Sequence, residues 1–392
     1  MKSEWNTSAI ANICKVVTDG SHTSPKSVSH GKYMVSVKDF TPYGFDFNGC
    51  RQISFADYEK LKSSGCVPQK GDILIGKDGA RYFEDIMIYN QDEAPALLSS
   101  IAILRCDEEK VIPEYLYYLL KTPSFKKDVK DNYGSGSAIP RIILKDFKRM
   151  KVEYPSIEKQ RQIVSILHDL DAKIFNNQKV NDNLEQQAAA LFSSLYNRSN
   201  TEVRYTDLIQ ILGGGTPKTG ETAYWNGNIA FFTPKDVGTP YTFITEKTIT
   251  EEGLSHCNSR LYPVNTVFVT ARGTVGKVGL SGVPMAMNQS CYALVGKETH
   301  QLLVYFYTLK AVDRLKHKAS GAVFDAITTR DFDSEQIMKL SDDDAKAFLC
   351  VAEPMFQEIL NNSIENLRLS TLRDFLLPKL MSGEIGVSSV QL

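Results

Sequence analysis

The later portions of the two halves of this chain are one sequence written twice. Residues 136–198 and 321–383 align without a gap at an offset of 185. Gly136 falls over Gly321, Ile142 over Ile327, and Asp146-Phe147 over Asp331-Phe332. Farther on, Ile174 meets Ile359, Asn176-Asn177 meets Asn361-Asn362, and Leu191 and Leu195 meet Leu376 and Leu380. A register held this long defines two copies of one module, each a globular part followed by a long helix. Two similar but non-identical heads point to a target that itself comes in two parts.

The helices are legible from spacing. Over 158–197, apolar residues recur at Ile163, Leu167, Leu170, Ile174, Leu184, Ala188, Leu191 and Leu195. Intervals of three and four predict one helix of roughly 60 Å. The second copy repeats the stripe at Leu349, Ala352, Phe356, Ile359, Leu367, Leu376 and Leu380. Two helices of matching pattern in one chain pack most simply as an antiparallel pair. Asn177, Asn181 and Asn362 interrupt the stripe near its middle. A buried Asn facing Asn would set register at a cost in stability; asparagines facing solvent are the alternative that spacing leaves open. Pro354 is expected to kink or restart the second helix.

The globular parts read as short strands punctuated by Gly and Pro. Strands are expected at 33–37, 72–75 and 100–104, followed by a helix over 113–130 interrupted near Pro123. The second copy repeats that order, with strands at 229–232 and 267–270 and a helix over 302–316. Residues 35–39 lie over 232–236, and 73–75 over 267–269, with small insertions between. The expected organisation is two α+β heads, 1–157 and 201–341, joined by an antiparallel two-helix coiled coil. Its helices are 158–200 and 342–392, the latter with a tail.

At 392 residues and 42% hydrophobic content the chain can build two cores. No apolar run reaches the roughly 18 residues of a membrane span, and residues 1–4 open nothing like a signal peptide. Seven scattered cysteines without a C-x-x-C pair suggest reduced thiols in the cytoplasm. Net charge is −1, a point against a dedicated DNA binder, which is often basic. Yet lysine and arginine cluster at 121–130 and 141–151, and again at 310–318. Solvated helix faces would explain any one cluster; recurrence in both copies favours DNA.

Catalytic signatures are missing. Gly71–Lys77 fits G-x-x-x-x-G-K, but Asp78 stands where a Mg²⁺-binding hydroxyl belongs, and residues 72–75 read as strand instead of loop. Glu114 with Asp128 and Lys130 loosely resembles a nuclease core, without counterparts in the second copy. Six histidines show no metal-ligand spacing, and no metal site is expected.

The segment 154–171 has the form P-x-x-E-x-Q-x-x-I through Pro155, Glu158, Gln160 and Ile163. It resembles the helix opening of specificity subunits of type I restriction–modification systems. The run 372–385 (LRDFLLPKLMSGEI) is similar to that family's second helix end. Gly214-Gly215-Thr216-Pro217, Tyr224-Trp225 and 233–236 (TPKD) look like the start of its target-recognition domains. The second copy departs from the pattern, with 339–345 (KLSDDDA) in place of the P-x-x-E-x-Q entry.

The resemblance implies a non-catalytic subunit whose heads each read half of a bipartite, asymmetric site in double-stranded DNA. The helix pair would fix the gap and dock two methyltransferase subunits, with restriction–translocase subunits joining for cleavage. S-adenosylmethionine, ATP and Mg²⁺ would belong to those partners, and no membrane would be involved. Base edges would be read by a few polar side chains, with phosphates held by Lys and Arg. Residues at matching turns are the candidates for DNA contact: Lys38, Lys77 and Arg81 in the first head, and Thr216, Lys218, Lys235, Arg272 and Lys277 in the second. An enzyme acting alone would show turnover without a second protein. A pure scaffold would bind partners without affecting DNA.

Overall fold

The computed structural model describes residues 5–41, 44–134, 140–238, 240–318 and 326–390. Gly136 and Gly321, the first matched pair of the repeat, lie outside them. The chain divides into two compact units, one from 1–173 with 368–392 and one from 174–367. Each unit is a head together with part of two long helices, Ile157–Arg198 and Asp342–Ser382.

In the first unit, Cys14–Asp19, Ile101–Cys106, Ile73–Gly76 and Ile86–Ile88 form an antiparallel sheet in that order. Its strand Ile73-Leu74-Ile75 is apolar throughout because both faces are covered. Ile73 and Ile75 lie in a core with Tyr115 and Leu119 of the helix Pro113–Lys121. Leu74 points the other way, to Val35, Phe45 and Tyr89. Successive strand side chains alternate between faces, and coverage on both faces removes the polar alternation of a half-exposed strand. Pro123 ends one helix and opens the next, Pro123–Asn132, as its spacing predicts.

The second unit repeats the plan with Ile209–Gly213, Cys291–Gly296, Val267–Thr270 and Val278–Ser281, and adds Tyr241–Thr242 at the edge. Val267 and Val269 face the core on the side of the helix Gln301–Lys318, while Phe268 faces Phe232 and Tyr262. In both heads the entering strand pairs antiparallel with the leaving one: Asn6 opposite Tyr154, Thr201 opposite Lys339. The leaving strand feeds directly into a long helix.

Within the second unit the helices run antiparallel. Asn362 Nδ2 donates to Asn181 Oδ1 at 3.0 Å, and Asn177 Nδ2 donates to Glu365 Oε2 at 2.6 Å and Asn366 Oδ1 at 2.9 Å. Toward the end of the first helix, Arg198 meets Asp344 at 2.7 Å. Asn177, Asn181 and Asn362 are all buried, so the Asn-facing-Asn arrangement is the one realised. In the first unit Arg373 Nη1 lies 2.7 Å from Asp171 Oδ1, whose Oδ2 accepts from Tyr118 OH at 2.7 Å. Changing Asn362 alone to Leu is expected to cost about 1–3 kcal/mol, because it strands a buried Asn181 oxygen. Changing Asn181 and Asn362 together should cost less than the sum of the singles, measurable as coupling in a double-mutant cycle of unfolding.

Of the expected stripe, Ile163, Leu167, Leu170, Ile174, Leu195, Phe356, Ile359, Leu376 and Leu380 are buried. Leu184, Leu191 and Leu367 are only half-buried. Phe192, Tyr196 and Phe348 are buried beside them, gripped by the second head's aromatic core. A straight helix drifts by roughly 20° per heptad from a fixed repeat, so a stripe projected over the whole helix loses the seam near its end. Pro354 does not restart the second helix, which is continuous over Asp342–Ser382. Pro354 is exposed, and Ala352, Phe356 and Ile359 anchor the helix around it. Packing offsets the one backbone hydrogen bond that proline removes.

Candidate nucleic-acid interface

Two turns recur in both heads. In the first, Asp39 Oδ2 accepts from Ser36 N at 2.7 Å and Ser36 Oγ at 3.1 Å. In the second head Asp236 Oδ2 accepts from Thr233 N at 2.8 Å and Thr233 Oγ1 at 2.6 Å. A short carboxylate closing on a nearby backbone N–H builds such turns locally. The residue before the aspartate, Lys38 or Lys235, is left exposed.

The other turn follows the central strand. Gly79 has φ +92° and Gly273 φ +81°, the left-handed region that suits glycine. The preceding residues form isolated antiparallel bridges, Asp78 to Arg141 and Arg272 to Ala326. Ile142 N donates to Lys77 O, and Ile327 N to Ala271 O, each at 2.9 Å. Lys77 therefore matches Ala271, and Asp78 matches Arg272. In the first head the two turns flank a cavity of about 460 Å³ lined in part by Lys38, Asp78, Gly79, Arg81 and Asp85. In the second head Thr274 Oγ1 donates to Pro234 O at 3.1 Å, joining the same two turns.

The candidate side chains divide accordingly. Lys38 and Arg81 share the cavity, with Arg81 Nη2 2.7 Å from Asp85 Oδ1. Lys77 does not belong with them. Only 6% exposed, its Nζ sits 3.4 Å from Asp19 and 3.6 Å from Asp78, so the expectation of an exposed turn lysine is corrected. It follows the last residue of a doubly covered strand, and two carboxylates hold its charge inside. Lys218, Lys235, Arg272 and Lys277 are exposed. Lys235 lies 3.6 Å from Glu246, and Thr216 Oγ1 hydrogen-bonds Gln289 Oε1. Ala271 N donates to Ser290 O at 2.8 Å, which brings the segment of Gln289 beside the Arg272 turn.

The recurring basic clusters are largely spoken for by the protein itself. Lys126 and Lys130 bind Glu84 at 2.8 and 2.6 Å, and Lys126 first, then Lys130, hold that carboxyl below its ordinary range by hydrogen bonding. Arg314 and Lys318 both reach the fully buried Glu335, at 2.9 and 2.6 Å. Arg149 pairs with Asp146 and lies over the Tyr133 ring. Recurrence here reflects how helices are fastened to heads. Arg141 is among those left over: it is exposed and has no side-chain partner among the described residues. Sequence spacing placed it in a cluster, and only the bridge to Asp78 separates it from the rest.

Gln160, within the helix-opening motif, points inward. Fully buried, it accepts from Ile112 N at 3.0 Å and donates to Lys110 O and Pro155 O at 3.0 and 2.9 Å. It ties the start of the long helix to the head, while Glu158 stays exposed. Ala345 occupies the matched place in the second copy. There Gln301 secures the neighbouring loop, accepting from Gly296 N at 3.2 Å and donating to Leu294 O at 2.8 Å.

Two heads of one topology, each presenting matched turns with different side chains, define a two-part recognition protein. Residues 2–186 and 197–339 match the type I restriction modification DNA specificity domain, and the chain belongs to that family. Membership makes it the DNA-specificity component of a type I restriction–modification system and not the catalytic one. The HindI specificity subunit of Haemophilus influenzae is 24% identical over 406 aligned positions, covering 81% of this chain and 87% of its own. The EcoR124I/EcoR124II specificity subunit of Escherichia coli is 27% identical over 294 positions, covering 70% of each. The MjaIX specificity subunit of Methanocaldococcus jannaschii is 24% identical over 310 positions, covering 72% of this chain and 71% of its own. In fold, the chain is similar to the crystal structure of a type I restriction–modification S subunit from M. genitalium. The TM-score is 0.61 at 14% identity, with 97% of each chain covered. Among the described residues no helix is long and apolar enough to cross a membrane.

Proposed function

We propose that each head reads one half of an asymmetric, split DNA target and that the two helices set the gap between the halves. The observation that carries this reading is the pair of matched turns, which hold Lys38 and Lys235 in the same geometry while their neighbours differ. A common frame with divergent contact residues suits two half-sites of different sequence. Phosphates would be held by Lys38, Arg81, Lys218, Lys235 and Lys277, which carry no sequence information themselves. Lys77 is left out of that set by its burial. Thr216 and Arg272 stand closest to the segment of Gln289 and would approach base edges.

Two methyltransferase subunits and the restriction–translocase subunits would complete the assembly in the cytoplasm. S-adenosylmethionine, ATP and Mg²⁺ would be bound by those subunits, leaving this chain to position them on DNA. The near-neutral total of −1 fits a protein whose candidate DNA-contacting basic groups are few and lie at small turns.

The test is to co-express the chain with its methyltransferase subunits and sequence the host DNA for modified bases. A split motif with a fixed gap is the expected result; no modification from a stable complex would count against DNA reading. In the purified complex, Lys218→Ala should weaken all sequences about equally. It should also reduce the slope of log affinity against log salt by roughly 0.9, the value of one phosphate contact. An unchanged slope would remove Lys218 from the interface.

A further inference from the structure

The bridge after the central strand is where the two heads differ most sharply in chemistry. Asp19, Lys77, Asp78 and Arg141 of the first head correspond to Gly213, Ala271, Arg272 and Ala326 of the second. The exchange is concerted: an ammonium and its two carboxylates give way to two small residues and one arginine. Lys77 Nζ lies 3.4 Å from Asp19 Oδ2 and 3.6 Å from Asp78 Oδ1, with 8% of its side chain exposed. It holds both carboxylates in place and cannot extend to solvent. Asp78 keeps 30% side-chain exposure and lines the cavity between the two turns.

Asp78 and Arg141 form a non-hydrogen-bonded pair, because the flanking bonds run from Gly79 N to Pro140 O and from Ile142 N to Lys77 O, both 2.9 Å. Cross-strand side chains approach most closely at such a pair. Asp78 nevertheless takes Lys77 as its ionic partner, and Arg141 is left without one among the described residues. Arg272, at the position of Asp78, is exposed and likewise unpartnered among them. A carboxylate fixed on a DNA-facing turn is repelled by phosphates, so its place is at a base edge. There Asp accepts from cytosine N4, an amino group that adenine also presents at N6, and Arg donates in a fork to guanine O6 and N7.

We propose that this bridge position is a base-reading position in both heads, with opposite hydrogen-bonding polarity. Asp78 accepts from the exocyclic amino group of a cytosine or adenine, and Arg272 donates to a guanine. The proposal rests on the DNA-reading function above and names the residues that would make the two half-sites different.

The experiment compares wild type, Arg272→Ala and Asp78→Ala, each co-expressed with the methyltransferase subunits and read out as the modified motif in host DNA. For Arg272→Ala, one guanine of one half-site should become degenerate while the other half-site is unchanged. For Asp78→Ala, one cytosine or adenine should become degenerate in the opposite half-site. With the purified complexes and duplexes varied at that position, discrimination should fall roughly 5- to 150-fold, the range of a good base contact. If every motif position survives in both variants and Arg272→Ala lowers affinity uniformly, Arg272 touches phosphate only and the proposal is overturned. Loss at a base of another kind overturns it as well. Arg272 is exposed and unpartnered among the described residues, so its variant decides the matter even if Asp78→Ala disturbs the Lys77 cluster. A wild-type complex that modifies no split motif would instead remove the DNA-reading function itself.

Discussion

Phe192→Ala is expected to destabilise the second unit by about 3–5 kcal/mol, the usual cost of emptying a buried phenylalanine site. Phe192 is 1% exposed. Its ring centre lies 5.0 Å from Phe306, 5.4 Å from Tyr307 and Phe348, and 5.6 Å from Tyr196. These rings come from both long helices and from Gln301–Lys318, so one truncation opens a cavity where three helices meet. Edge-on and offset ring pairs add about 0.5–1.5 kcal/mol beyond burial, and rigid neighbours leave little room for collapse. At about 2–4 °C per kcal/mol for a unit of this size, the melting midpoint should fall by roughly 6–20 °C. Phe192→Leu should recover much of it. A shift of only a degree or two in a calorimetric scan would mean that this end of the helix is not held by its aromatic contacts.

Arg105→Ala should cost the first unit about 3–5 kcal/mol by leaving Asp72 buried without its cation. Asp72 is 1% exposed and accepts from Arg105 Nε and Nη2, each at 2.8 Å, and from Gln69 N at 2.7 Å. The second head shows how the same place is built without charge. Strand register puts Thr266 where Asp72 stands and Val295 where Arg105 stands. Thr266 Oγ1 donates to Pro263 O at 2.7 Å, a local bond that needs no distant partner. The double change Asp72→Thr with Arg105→Val should therefore be far milder than Arg105→Ala, since replacing both members of a buried pair is often neutral. A double variant as unstable as the single one would show that the pair cannot be exchanged for the second head's solution.

Helix existence and the antiparallel pairing were readable because they depend on local periodicity and on a register written twice. Spacing left the asparagines open between burial and solvent, and the contact of Asn362 with Asn181 decides for burial. The match of 35–39 to 232–236 was equally readable, since Ser36–Asp39 and Thr233–Asp236 close on themselves through side chains three residues apart. The spacing puts Leu191 in the seam and passes over the more deeply buried Phe192, because a stripe records helical phase and carries no record of which tertiary partner receives it. The burial of Lys77 escapes the sequence for a related reason. Whether this lysine is solvated, or is held between Asp78 and Asp19, depends on Asp19, nearly sixty positions away in the chain.

The sequence alone determined that this protein has two copies of one α+β head on paired helices and a family of two-part DNA readers. The two copies follow from short-range spacing and from comparison of the chain with itself, and the family follows from the resemblance of its motifs to type I specificity subunits. Only the tertiary structure decided which side chains are available to a target. Strand order brings Arg141 opposite Asp78 and Ala326 opposite Arg272, and the packing around each bridge turns a charge in the sequence into either an internal clamp or a free contact.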